Sequence, residues 1–224
     1  MSDNRESYRL VVVRRAPIDA PQDLAPTLEW LVRTLQTDDP VLFTLSGLSP
    51  AMSTVTVLDG EESRVGKFLS TSEIEWNFGR GESDPTHEVA FFNEHDDARL
   101  VYLRMSFVAT GSACTGPGFV AELRLGLDAA GPKDEYRGAF LDKLFSYLVV
   151  ALRPNFGHIE IPGHPDVIER PTEYQVGWVT YLAKGEATIP LLEPPAVVLT
   201  DDAGTKILAT RGLGLESYGD VAKA

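Results

Sequence analysis

Four stretches of the sequence carry residue types that can do chemistry. The first is Glu94-His95-Asp96-Asp97, three carboxylates and an imidazole in one run. Hard cations take such oxygens, but the ligand spacing of a calcium loop is missing, and with Asn93 in front the run reads as a solvated hairpin turn. The second is His158-Ile159-Glu160, followed by His164 and Asp166. Histidines six residues apart share no helix face, and the H-E-x-x-H zinc pattern is absent. Brought together in space with Glu160 or Asp166, they would make an acid–base pocket, and a small enzyme stays open on that ground. The third is the single cysteine, Cys114, which Gly111, Gly116, Pro117 and Gly118 place in a loop. It has no disulfide partner and no histidine beside it in sequence, so it reads as a loop thiol in a reducing compartment. The fourth, Arg211-Gly212-Leu213-Gly214-Leu215-Glu216-Ser217-Tyr218-Gly219, has the glycines of a phosphate loop, but no helix follows and no lysine fills the Walker position. Neither a G-x-S-x-G elbow nor a CxxC pair occurs, and Ser112 and Ser146 lack an activating context. No catalytic residue, cofactor or metal is assigned.

What remains is charge. The chain of 224 residues has 33 acidic and 20 basic side chains, a formal net charge of −13. Such a surface repels a phosphate backbone and attracts a basic protein, so the expectation is no nucleic acid and a basic protein partner. The acids cluster at turns: Asp38-Asp39, Asp59-Gly60-Glu61-Glu62, Glu94 to Asp97, and Asp201-Asp202. Alternate turns of a meander emerge on the same side, so several would project from one end of a sheet and steer the partner. Affinity would then come from a buried aromatic, for which Trp30, Trp76 and Trp178 qualify. Trp76, between Glu75 and Asn77 in a stretch of weak periodicity, is the indole expected to be exposed. The expected partner-binding set is Asp59, Glu61, Glu62, Trp76, Glu94, Asp96 and Asp97.

The elements that would carry these turns are legible. Leu100 to Phe107 has apolar residues at every odd position, and Phe119, Ala121, Leu123, Leu125 and Leu127 alternate with Glu122, Arg124 and Asp128. That period of two predicts an antiparallel sheet with one wet face. From Asp134 the period changes: Tyr136, Phe140, Leu144, Leu148 and Leu152, with Leu141 and Phe145, predict a long helix covering the sheet and ended by Pro154 and Gly157. Ahead of these, Tyr8 to Arg14 reads as a strand, and Leu28, Leu31, Val32 and Leu35 as a helix stopping at Asp38-Asp39-Pro40. Val41 to Gly47 is ambiguous. Further strands are expected at Thr54 to Leu58, Glu88 to Phe92, Ile159 to Ile161 and Val176 to Leu182. A hairpin of Val197 to Leu199 and Ile207 to Thr210 closes the list.

Helices segregated from a mainly antiparallel sheet make the fold class α+β, with the helices packed on one face. A chain of this length supports one domain without staples, expected over residues 8–213 between a disordered tail at 1–7 and a flexible one at 214–224. The polar N-terminus and the lack of a long apolar run predict a cytoplasmic protein with no membrane partner, as a monomer or homodimer.

The order of a long helix, His158-Ile159-Glu160, the Gly177-Trp178-Val179-Thr180-Tyr181-Leu182 strand, a proline-rich joint and a terminal hairpin with Gly204 resembles the bacterial polymorphic-toxin immunity proteins. It is most similar to the group called immunity protein 52, over the chain from Tyr8 onward. The resemblance implies a cytosolic α+β protein that neutralises a cognate toxin delivered by a contact-dependent secretion system, in some cases a nuclease. An acidic immunity protein would occlude the basic cleft of such a toxin, with no catalytic residues of its own. A homo-oligomeric adaptor is the further alternative.

Overall fold

In the computed structural model, the described residues are 7–16, 21–48, 54–59, 62–71, 86–93, 99–108, 118–127, 129, 134–160, 177–185 and 197–208. The chain opens with β1 (Ser7–Arg14) and, after a 3-10 turn at Pro21–Leu24, α1 (Ala25–Asp38). Short strands β2 (Ser46–Leu48), β3 (Thr54–Thr56), β4 (Leu58–Asp59) and β5 (Glu62–Ser63) lead to α2 (Val65–Thr71). The meander β6 (Thr86–Phe92), β7 (Val101–Val108) and β8 (Phe119–Gly126) follows, then α3 (Asp134–Leu152). The last strands are β9 (Phe156–Glu160), β10 (Val179–Ala183), β11 (Val197–Thr200) and β12 (Gly204–Leu208).

These boundaries follow from local chemistry. Pro26 is tolerated in the first turn of α1, where no intrahelical donor is lost, and at the other end Asp39 N–H closes on Leu35 O at 3.2 Å. The Asp39 carboxylate then accepts the N–H groups of Val41 and Leu42, at 3.0 and 2.9 Å, so the ambiguous segment begins as a capped turn before β2. The expected strand at Thr54 to Leu58 splits in two, because Val57 N–H turns aside to Leu45 O at 3.1 Å. The first strand starts at Ser7, one residue inside the stretch assigned to the tail.

Ten strands form one sheet in the order β11-β12-β10-β9-β1-β8-β7-β6-β2-β3, and every pairing is antiparallel. The late strand β9 pairs with β1, so chain ends distant in sequence meet at the centre. One face presents Leu10, Val12, Leu103, Met105, Ala121, Leu123 and Ile159, all buried against Leu28, Leu31 and Leu35 of α1 and Leu141, Phe145 and Leu148 of α3. This is the α+β architecture read from the periods, with α1 against α3 and α2 against α1.

The opposite face departs from the expectation of a wet surface. Val13, Phe156, Leu182 and Ile207 form a second buried apolar cluster there, backed by Val11 and Val120. Glu122, expected in solvent, is 7% exposed. β9 and β10 bury every residue but their last, a pattern that alternation cannot produce in a strand wet on one side.

Candidate functional site

Two places in this frame hold side chains that could serve a ligand or a partner. The first is the centre of the second sheet face. Cross-strand register sets Arg9 opposite both Arg124 and Glu160, and Val11 opposite Glu122 and His158. The Glu122 carboxylate accepts Arg9 Nε at 2.6 Å and Arg124 Nε at 2.5 Å. Arg9 also donates to Glu160 at 2.9 Å, and the other Glu160 oxygen meets His158 Nε2 at 2.8 Å. Burial works to raise the Glu122 pKa, but hydrogen bonds and attraction from Arg124 and Arg9 outweigh it and hold the carboxyl below the ordinary glutamate value. His158 is 4% exposed, and its Nδ1 has no hydrogen-bond partner. The histidine and carboxylate that could form an acid–base pair are thus together, but the imidazole is buried and Arg9 already holds the half-buried Glu160 carboxylate. His164 and Asp166 lie outside the described residues.

The second place is the C-terminal end of α3, at the end of the central strands where β1 stops and β9 begins. Arg153 N–H closes the helix on Val149 O at 3.0 Å, and its φ of 46° puts a non-glycine residue in the left-handed region. Asn155 then ties three elements together. Its N–H donates to Val13 O at 2.8 Å, its carbonyl accepts Ala183 N–H at 2.8 Å, and its side-chain oxygen accepts Arg15 N–H at 2.7 Å. Two concavities flank this end and share Val150 and Arg153. A cleft of 680 Å3 runs between α3 and the β10–β12 sheet edge, with Phe145, Tyr181 and Lys206 in its wall. Lys206 is ion-paired with Asp142 and lies 3.3 Å from Ser146 Oγ. Burial and the negative charge of Asp201 raise the pKa of Tyr181. A second groove of 460 Å3 lies towards α1, lined by Arg14, Trp30, Val150 and Arg153 among others. Trp30 is 44% exposed and stands edge-on to Tyr147, with centroids 6.5 Å apart. Val150 is 63% exposed.

The expected partner-binding residues are placed only in part. Glu61, Trp76, Glu94, Asp96 and Asp97 lie outside the described residues, as do Cys114 and the Arg211 to Gly219 run. Asp59 ends β4, paired in register with Glu62, whose carboxylate meets Arg64 at 3.4 Å and is largely exposed. The other acidic turns use carboxylates internally. Asp38 binds Lys143 at 2.7 Å, Asp39 caps its own turn, and Asp201 accepts the N–H groups of Ala203 and Gly204 at 2.8 and 2.9 Å. Those two N–H groups hold the Asp201 pKa low. The Asp201-Asp202 turn joins β11 to β12 at the opposite end of the sheet from the point where β6 gives way to β7. The Asp201-Asp202 turn therefore stands at the opposite end of the sheet from Asn93.

Trp178 is 1% exposed and belongs to the core, which leaves Trp30 as the exposed indole among the described residues. The signal for it was in the helix: Trp30 is off the stripe of Leu28, Leu31, Val32 and Leu35. Arg14 and Arg153 gave no comparable signal. Among the described residues no helix is long and apolar enough to cross a membrane, and no group of three metal-ligand side chains forms.

No family model and no curated protein matches the chain. Among solved structures, it is similar to the Pseudomonas aeruginosa T6SS protein PA0821, with a TM-score of 0.48 and 11% identity. The match covers 91% of this chain and 64% of that one.

Proposed function

We propose that this is an immunity-type binding protein of the cytoplasm, which holds a cognate basic toxin of a contact-dependent, type VI-like secretion system and occludes its active-site cleft. It performs no catalysis in this reading. The observation that carries it is the exposed Trp30 indole beside the exposed Val150, on a chain whose other described indole is sealed. Large aromatic side chains left at the surface are the commonest anchors of protein interfaces. Charge supports the same reading. Arg9, Arg33, Arg64, Arg124, Lys143 and Lys206 are bound to carboxylates of the chain itself, so the excess of 13 negative charges has no internal counterpart. A basic cleft shaped for phosphates would draw such a surface in and find no bond to hydrolyse. The resemblance to immunity protein 52 at the Gly177-Trp178 strand supplies the toxin as partner.

Co-expression tests it. The reading frame adjacent to this one is induced with and without this protein, and growth and complex formation are measured. Restored growth with a co-purifying complex is the expected result, and the absence of both removes the reading.

A further inference from the structure

The described arginines divide sharply by partner. Arg9, Arg33, Arg64 and Arg124 are held by carboxylates, and Arg15, Arg99 and Arg104 are also engaged. The guanidiniums of Arg14 and Arg153, by contrast, are held by no carboxylate among the described residues, and both line the groove of Trp30 and Val150. None of the residues described in that lining is acidic. On a chain with 33 acids and 20 bases, this groove sets two cations beside an exposed indole and an exposed valine. The groove is firm: Asn155 pins the backbone on both sides of it, and the left-handed Arg153 aims its side chain from a position that glycine usually fills.

We infer that this groove is the docking surface for a segment of the partner protein that carries carboxylates beside a branched or aromatic apolar side chain. The inference rests on the binding-protein reading above and specifies which part of the partner is gripped. A guanidinium presents a planar fork that matches a carboxylate, and two of them flanking an indole and a valine fit an acidic–apolar–acidic segment. Apolar contact with Trp30 and Val150 excludes water from the ion pairs and strengthens them. A nucleic acid is a poor occupant, because its continuous phosphates would extend beyond the two arginines into the field of the −13 chain. A short segment carries few enough charges to be met by the two guanidiniums.

The test uses the full chain with 15N-labelled indoles and a blocked peptide, acetyl-Glu-Leu-Glu-Leu-amide, against acetyl-Lys-Leu-Lys-Leu-amide. Trp30→Phe assigns the Trp30 resonance. The glutamate peptide should shift that resonance to saturation and leave Trp178 in place. Arg14→Ala/Arg153→Ala should weaken binding about tenfold with an unchanged urea midpoint. No shift at millimolar peptide, an equal shift with the lysine peptide, or an equal shift with inorganic phosphate alone would each overturn the inference. So would a concentration-dependent mass in sedimentation that Trp30→Ala abolishes, since a second copy would then be the occupant. Co-expression separates the two readings. Peptide binding without protection from the neighbouring toxin leaves the groove standing and removes the toxin. Protection and complex formation that survive Trp30→Ala with Arg14→Ala/Arg153→Ala sink the groove and leave the toxin.

Discussion

Glu122 is the residue whose loss should be felt most. Its carboxylate neutralises two guanidiniums on a closed face of the sheet, and Glu122→Gln would leave them sharing a neutral amide. Removing one member of a buried ion network costs about 3 kcal/mol, and urea unfolding at neutral pH should show a loss of that order. The folded pKa is lower than in the unfolded chain, so this carboxylate adds stability above the ordinary value of 4.5. That stability is lost as pH falls below 4.5 through the folded value, and urea midpoints at stepped pH should drop less steeply there in Glu122→Gln. Arg153 behaves in the opposite way. A left-handed non-glycine residue carries strain of about 1 kcal/mol, so Arg153→Gly should raise the urea midpoint while removing a guanidinium from the groove.

At the scale of elements, the strand after Gly177 depends on that glycine having no side chain. Trp178 N–H reaches Ile159 O at 2.9 Å, which brings the backbones so close that a Cβ on residue 177 would lie 2.4 Å from the same oxygen. Gly177→Ala should therefore cost about 2 kcal/mol by displacing the start of β10, read as a lower thermal midpoint. The glycine–tryptophan pair was legible as a feature of the sequence, but its role in letting β10 approach β9 was not. The meander and the two long helices were legible because their periods of two and of about three and a half are local. The lattice of Arg9, Glu122 and Glu160 was not: its hydrogen bonds span 113 and 151 residues, and only the pairing of β1 with β8 on one side and β9 on the other brings the groups together. Glu122 alternated with apolar neighbours as a solvent-facing residue would, and nothing local distinguishes solvent from a buried counter-ion. Trp30 is only one of three candidate anchors in the sequence, where Trp76 is the indole expected to be exposed, yet its place off the α1 stripe marks it as exposed more directly than the weak periodicity around Trp76 does.

For the whole molecule, charge governs encounter more than it governs the fold. If the acidic excess draws in a basic toxin, stopped-flow association should slow several-fold between 10 and 150 mM salt, where the screening length falls from about 30 to about 8 Å. An unchanged rate would remove electrostatic steering from the proposed mechanism. The groove should respond differently. Its two arginines line the groove with the Trp30 indole and Val150, so their replacement should appear mainly as faster dissociation of the complex.

Asn155 gives that end of the molecule a further property. By fastening the exit of α3 with three hydrogen bonds to the end of β1 and the end of β10, it leaves the receptor surface little freedom to lose when a ligand arrives. Recognition there would be of the lock-and-key kind, with the ordering penalty falling on the incoming segment alone.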